Sequence, residues 1–140
     1  MQARLDRQQA MNDSRRALML DAARTVFEKL GIEGASIREI AKQAGYTPGA
    51  IYSYFENKEA IYGALLAESL ERLNAAVDAA GSPGLEPAEM LDAKASAWFG
   101  FFATNPRDLD LGFYLVQGMR PRGLTAELNY KLNDRLHDAL

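Results

Sequence analysis

Apolar residues recur three to four positions apart along almost the whole chain, the pattern of amphipathic helices, and nowhere do they alternate as in a half-buried strand. Between residues 14 and 30 they fall at Leu18/Met19, Ala22/Ala23, Val26/Phe27 and Leu30. Gly31 follows where a C-terminal cap belongs, with Ile32 placed to fold back on the helix. Ser36 and Glu39 form a Ser-x-x-Glu start signal, flanked by Ala35 and Ile40 as a hydrophobic staple. The helix they open carries Ile37, Ile40, Ala41 and Ala44 on one stripe and stops at Gly45. Residues 47–55 predict a second short helix, with Thr47 as its cap, Pro48 in its first turn, and Ile51 and Phe55 facing inward one turn apart. Asn57 then caps a long helix whose apolar positions run through Ile61, Leu65, Leu70, Leu73 and Val77 to about Ala80.

The run Gly81-Ser82-Pro83-Gly84 is the clearest break in the chain. Beyond it the pattern predicts a helix from 87 to about 104, closed by Asn105-Pro106, and another over about 107–119. Pro121, Arg122 and Gly123 separate a last helix that starts near Thr125 and is still in phase at Leu140. A pattern that stops in mid-phase is expected of a piece of a longer protein or of a chain with a further tail. The fold class is therefore all-α, divided into residues 1–58 and 59–140.

Composition narrows the chemistry more than it changes this picture. With 48% hydrophobic and 25% charged residues the chain has the balance of a folded globular protein. It has no cysteine, so disulfides and thiolate metal sites are excluded. His137, the single histidine, stands without the partners of a catalytic triad and is expected on a surface helix. Asp108 and Asp110 read as carboxylates complementing a helix N-terminus. With no glycine-rich phosphate loop or zinc-ligand spacing, no catalytic residue, metal or cofactor is expected. No apolar run is long enough to span a bilayer, and residues 1–12 lack the apolar core of a signal peptide, so a cytoplasmic protein is expected. The net charge of −3 is unevenly spread: residues 1–58 hold nine Lys/Arg against seven Asp/Glu, and residues 59–140 seven against twelve.

The less acidic part holds the most informative segment. A helix-turn-helix crosses one short helix over a DNA backbone and sets a second into the major groove. Its turn is tight, and its second helix is anchored by an apolar inner face while its outer face stays free. Residues 36–55 meet these conditions: Ala41 is small enough for close helix packing, Gly45 takes the turn, and Pro48, Gly49, Tyr52 and part of Ser53 form the free face. Gly49 and Ala50 leave the front of the second helix nearly bare, suited to a phosphate backbone. On spacing alone, two short amphipathic helices of an ordinary α-bundle remain an equal reading.

From Phe27 to Ile61 the sequence resembles the DNA-binding region of the TetR family of bacterial transcriptional repressors. The matching positions are Phe27, Gly31, Ala35-Ser36-Ile37, Ile40-Ala41, Ala44-Gly45, Thr47, Gly49, Ile51-Tyr52, Tyr54-Phe55 and Lys58-Glu59. Ile32 stands where the family often has an aromatic residue, and Tyr54 where histidine is frequent. The resemblance implies that Ser36 and Thr47 bind phosphates through hydroxyl and backbone N–H, and that Gly49 lets the backbone approach DNA. It implies phosphate contacts for Tyr52, Tyr54 and Lys58, with a base methyl as the alternative for Tyr52. Base reading then falls to Arg38, Tyr46, Pro48 and Ala50, of which only Arg38 can make a bidentate contact with guanine. Tyr46 reads equally as a lid over the turn, and Arg38 also as a solvated arginine paired with a nearby acid. Arg4, Arg7, Arg15 and Arg16 form either a flexible basic arm along a minor groove or a solvated face diluted by Asp6 and Asp13.

For residues 59–140 the resemblance is one of helix pattern only. It implies a helical bundle, incomplete at the C-terminus, that binds a small-molecule effector and forms a homodimer on a palindromic double-stranded DNA operator. Trp98, Phe101, Phe102, Phe113, Tyr114 and Met119 are the candidates to line an apolar effector pocket, each of them also readable as plain core. The expected function is a ligand-responsive repressor. The alternative is a helical ligand-binding or protein-interaction module that keeps the helix-turn-helix as scaffold.

Overall fold

The computed structural model describes residues 1–116 together with Lys131 and Asp134. The described residues are helical, with no strand among them, in the order α1 (Gln2–Gly34), α2 (Ile37–Ala44), α3 (Pro48–Tyr52), α4 (Lys58–Ala80), α5 (Pro87–Thr104) and α6 (Pro106–Val116). They divide into two compact units, Met1–Ala64 and Leu65–Leu140. No described helix is both long and apolar enough to cross a membrane.

In the first unit, α1 buries Met19, Leu20, Ala22, Ala23, Val26 and Phe27 and packs on α2, which in turn packs on α3. Ile40 and Ile51 are fully buried, Ala41 nearly so, and Phe55 closes the same core. From α4, Ile61 and Tyr62 are buried, Tyr62 edge-on to Phe27 with ring centroids 6.2 Å apart.

Two elements differ from their predicted extents. Helix α1 begins at Gln2, some twelve residues before the apolar periodicity does, so the arginines at 4 and 7 sit on an exposed helix and not on a flexible arm. The reason is local. Residues 2–13 contain no glycine or proline, and side chains one turn apart pair along the surface, Gln2 with Asp6 and Gln9 with Asp13, each at 2.9 Å. Helix α3 spans only five residues of the expected nine. Ser53 turns its hydroxyl back onto the Ala50 carbonyl at 2.6 Å, and residues 53–54 form a turn. Gly31, inside the span of α1, takes φ 69° and ψ 171° and interrupts that helix where the sequence placed a cap.

In the second unit, α4 buries Leu65, Leu66, Leu70, Leu73 and Val77, and α5 packs on α6. The Asp108 carboxylate, 3% exposed, accepts two bonds from the Arg72 guanidinium at 2.6 and 3.1 Å. Arg72 also lies over the Phe101 ring, 5.8 Å from its centroid. At the head of α5, the Glu89 side chain accepts from the Glu86 backbone N–H at 3.2 Å.

Candidate nucleic-acid interface

The two caps that define the site form as their residue types dictate. Ser36 Oγ accepts the Glu39 N–H at 3.1 Å, and Thr47 Oγ1 accepts the Ala50 N–H at 3.2 Å. Gly45 ends α2 at φ 75° and ψ 27°, a left-handed position that a β-carbon disfavours, and the Tyr46 N–H reaches back to the Ala41 carbonyl at 3.0 Å. The turn thus directs α3 away from α2 within three residues, and Ile51 and Phe55 hold it against the core.

This arrangement leaves an outer face built from the residues singled out above. Ser36, Arg38, Thr47, Pro48, Gly49 and Tyr52 are exposed, while Tyr46, Ala50, Tyr54 and Lys58 are half-buried. Tyr52 exposes 57% of its surface although it lies next to fully buried Ile51. Gly49 has no conformational reason to be glycine, because its φ is not positive and an added Cβ would meet only Thr47 Oγ1, at 3.9 Å. The fold would accept alanine there, with better helix propensity. What glycine provides at this point is a bare backbone on the outside.

Arg38, Tyr46 and Pro48 come together on an open groove of about 820 Å³ between α2 and α3, which Glu39, Ala41 and Lys42 complete. Lys42 was not among the residues picked from the sequence. Its position one helical turn after Arg38 is the signal that could have found it. Tyr54 and Lys58 are engaged inside the protein. The Tyr54 hydroxyl donates to Asn12 Oδ1 at 3.3 Å, and the Lys58 ammonium donates to the carbonyls of Ile32 (2.7 Å), Ala35 (3.0 Å) and Glu33 (3.3 Å). Nearby, the Arg16 guanidinium lies 5.3 Å from the centre of the Phe55 ring. These long-range contacts tie α1 to the segment around α3 and the start of α4, and no local sequence signal announces them.

Of the candidate pocket residues in the second unit, Trp98, Phe101 and Phe102 form one aromatic cluster. Ring centroids are 4.7 Å apart for Trp98–Phe102 and 5.3 Å for Phe101–Phe102, both edge-on. Trp98 Nε1 is buried without a hydrogen-bond partner among the described residues, an incomplete polar site within an apolar cluster. Phe113 and Tyr114 belong to α6 by their backbone, but their side chains lie outside the described residues, as do Met119 and His137.

Comparison with known proteins places this geometry. Residues 19–65 match the family model for bacterial regulatory proteins of the tetR family. An HTH-type transcriptional repressor of Mycobacterium tuberculosis is 35% identical over 72 residues, which cover 51% of this chain and 38% of the relative. A tetR-family regulatory protein from Rhodococcus RHA1 superposes with a TM-score of 0.77 at 26% identity, covering 89% of this chain and 63% of that one. FadR from Bacillus subtilis, solved in complex with stearoyl-CoA, superposes with a TM-score of 0.64 at 28% identity, covering 87% of this chain and 63% of that one. The chain therefore spans less than two thirds of the length of each of these relatives. In its helix-turn-helix, over residues 19–65, and in the fold it shares with them, the chain is similar to bacterial regulatory proteins of the tetR family.

Proposed function

We propose that the protein is a ligand-responsive DNA-binding transcriptional regulator, a repressor that leaves its operator when a small molecule binds. Residues 1–58 are the DNA-binding head, and residues 59–140 belong to an effector-binding and dimerisation region. One observation carries the reading: the turn at Gly45 presents an outer face with exposed hydroxyls (Ser36, Thr47, Tyr52), a needlessly bare backbone at Gly49, and the cations Arg38 and Lys42 at one groove. Hydroxyls, backbone N–H groups and cations are the donors that hold phosphates, while base edges are read from the groove. Arg38, Tyr46, Pro48 and Ala50 are the proposed base readers, with Lys42 added as a phosphate contact.

The protein would work in the cytoplasm as a homodimer on a roughly palindromic duplex, its two α3 helices about 34 Å apart or a multiple of that. The Trp98–Phe101–Phe102 cluster, with its unsatisfied indole N–H, supports an apolar effector that offers one hydrogen-bond acceptor. That FadR of Bacillus subtilis was solved with stearoyl-CoA fits an effector of this kind. No enzymatic activity is proposed.

Selection from random-sequence duplexes with the purified chain tests this reading. The expected outcome is an enriched sequence with approximate two-fold symmetry that competes for binding against a scrambled duplex. Recovery of no preferred sequence, with equal binding to selected and scrambled DNA, would remove the regulator reading and leave the helix-turn-helix as scaffold.

A further inference from the structure

Lys58 is the first residue of α4, and its side chain points into protein. An ammonium has three protons, and here each has a carbonyl to go to: Ile32 at 2.7 Å, Ala35 at 3.0 Å and Glu33 at 3.3 Å. Those carbonyls belong to the linker formed by the last turn of α1, after its interruption at Gly31, and by Ala35, up to Ser36, the cap of α2. Ile32 and Ala35 are themselves buried, so their backbone oxygens need partners inside the protein. A cation beside the last carbonyls of a helix is also favoured by that helix's dipole. On the other side, the start of α4 is fixed by Asn57, whose Oδ1 accepts the Ala60 N–H at 2.8 Å.

We infer that Lys58 is a positioning residue for DNA binding rather than a phosphate ligand: its ammonium clasps the linker carbonyls and so fixes the direction in which α2 leaves α1. The inference rests on the DNA-binding reading above. Ser36 follows Ala35 directly and Arg38 lies two residues further on, so a loose linker means that both must be ordered when DNA binds. That ordering lowers affinity without removing any contact to DNA. The geometry also separates lysine from arginine. A tetrahedral ammonium can direct three protons at three convergent oxygens, whereas a planar guanidinium fork cannot, although it would serve a phosphate at least as well.

The test uses the full chain, a duplex recovered by selection, and the variants Lys58→Met and Lys58→Arg. The clasp predicts that both variants lose about tenfold or more in affinity, each with the wild-type slope of log affinity against log salt. A phosphate ligand predicts that the slope falls by about 0.9 in the methionine variant and that arginine restores binding; that outcome overturns the inference. Should the methionine variant fail to fold, arginine alone decides, since its charge is kept and its geometry is not. A second measurement needs no variant: the Lys58 ammonium 1H–15N correlation should be slow to exchange with water in DNA-free protein and unmoved by the duplex. An ammonium signal that is absent without DNA and emerges with it contradicts the clasp. If wild-type protein selects no duplex, the DNA-binding reading fails, and the ammonium signal still judges the clasp.

Discussion

Replacing Gly45 by alanine isolates one physical term in the site. At φ 75° and ψ 27° a β-carbon costs about 1–2 kcal/mol from its closeness to the following carbonyl oxygen. Nothing else opposes the substitution, because an ideal Cβ at this position meets no heavy atom within 4 Å. The unfolded chain gives back about 0.4–1 kcal/mol, since alanine has less backbone freedom to lose. The net expectation is a destabilisation of about 1 kcal/mol. Gly34 supplies the control. Its φ is not positive, and an added Cβ would lie 3.4 Å from Leu30 Cβ, an ordinary contact, so only the unfolded-state term remains. Gly34→Ala should therefore stabilise by about 0.4–1 kcal/mol. Urea titrations followed by circular dichroism, with the slope held equal to wild type, read both differences. Gly45→Asn should fall between wild type and alanine, because asparagine tolerates the left-handed region. If Gly45→Ala and Gly34→Ala move the midpoint in the same direction, the left-handed turn does not explain Gly45.

Other consequences can be checked by the same titrations. The Arg72–Asp108 pair should respond asymmetrically. Arg72→Met takes the guanidinium from a carboxylate only 3% exposed and should cost about 3–5 kcal/mol, whereas Asp108→Asn leaves a 39% exposed arginine that water can solvate and should cost about 1–2 kcal/mol. Equal losses would contradict the burial argument. On α3, Ile51→Ala removes a fully buried side chain and should cost about 2–5 kcal/mol, while Tyr52→Ala, at 57% exposure, should leave the urea midpoint nearly unchanged and weaken DNA binding. Asn57→Ala should cost about 1 kcal/mol through loss of the α4 cap, and a smaller loss for Asn57→Asp would identify the cap oxygen as the cause.

What was legible in the sequence is what local chemistry determines. Ser36, Thr47 and Asn57 cap helices because a short polar side chain can reach an N–H three residues on, and all three do so here. Gly31 and Gly45 mark their breaks because both take a positive φ. Periodicity placed α4 because that helix buries a stripe, whereas α5, which buries only Phe101, was bounded by the break at residues 81–84 and by Asn105-Pro106. Periodicity said nothing of residues 2–13, which are helical yet nearly all exposed, so that no apolar rhythm marks them. The carbonyl contacts of Lys58 were unreadable for a different reason: the acceptors lie 23 to 26 residues away and are backbone oxygens, which carry no residue identity. The same holds for Tyr54 and Asn12, 42 positions apart. Lys42 joined the groove only once the turn at Gly45 had brought Tyr46 and Pro48 beside α2.

The central claim is that the outer face of α2 and α3 grips a DNA backbone, and the salt dependence of duplex binding tests it most directly. Affinity for a selected duplex should fall linearly on a log–log plot, and Lys42→Ala should reduce that slope by about 0.9, whereas Arg38→Ala should weaken binding to the selected sequence and relax its specificity. A slope near zero, or one that Lys42→Ala leaves unchanged, would contradict the account.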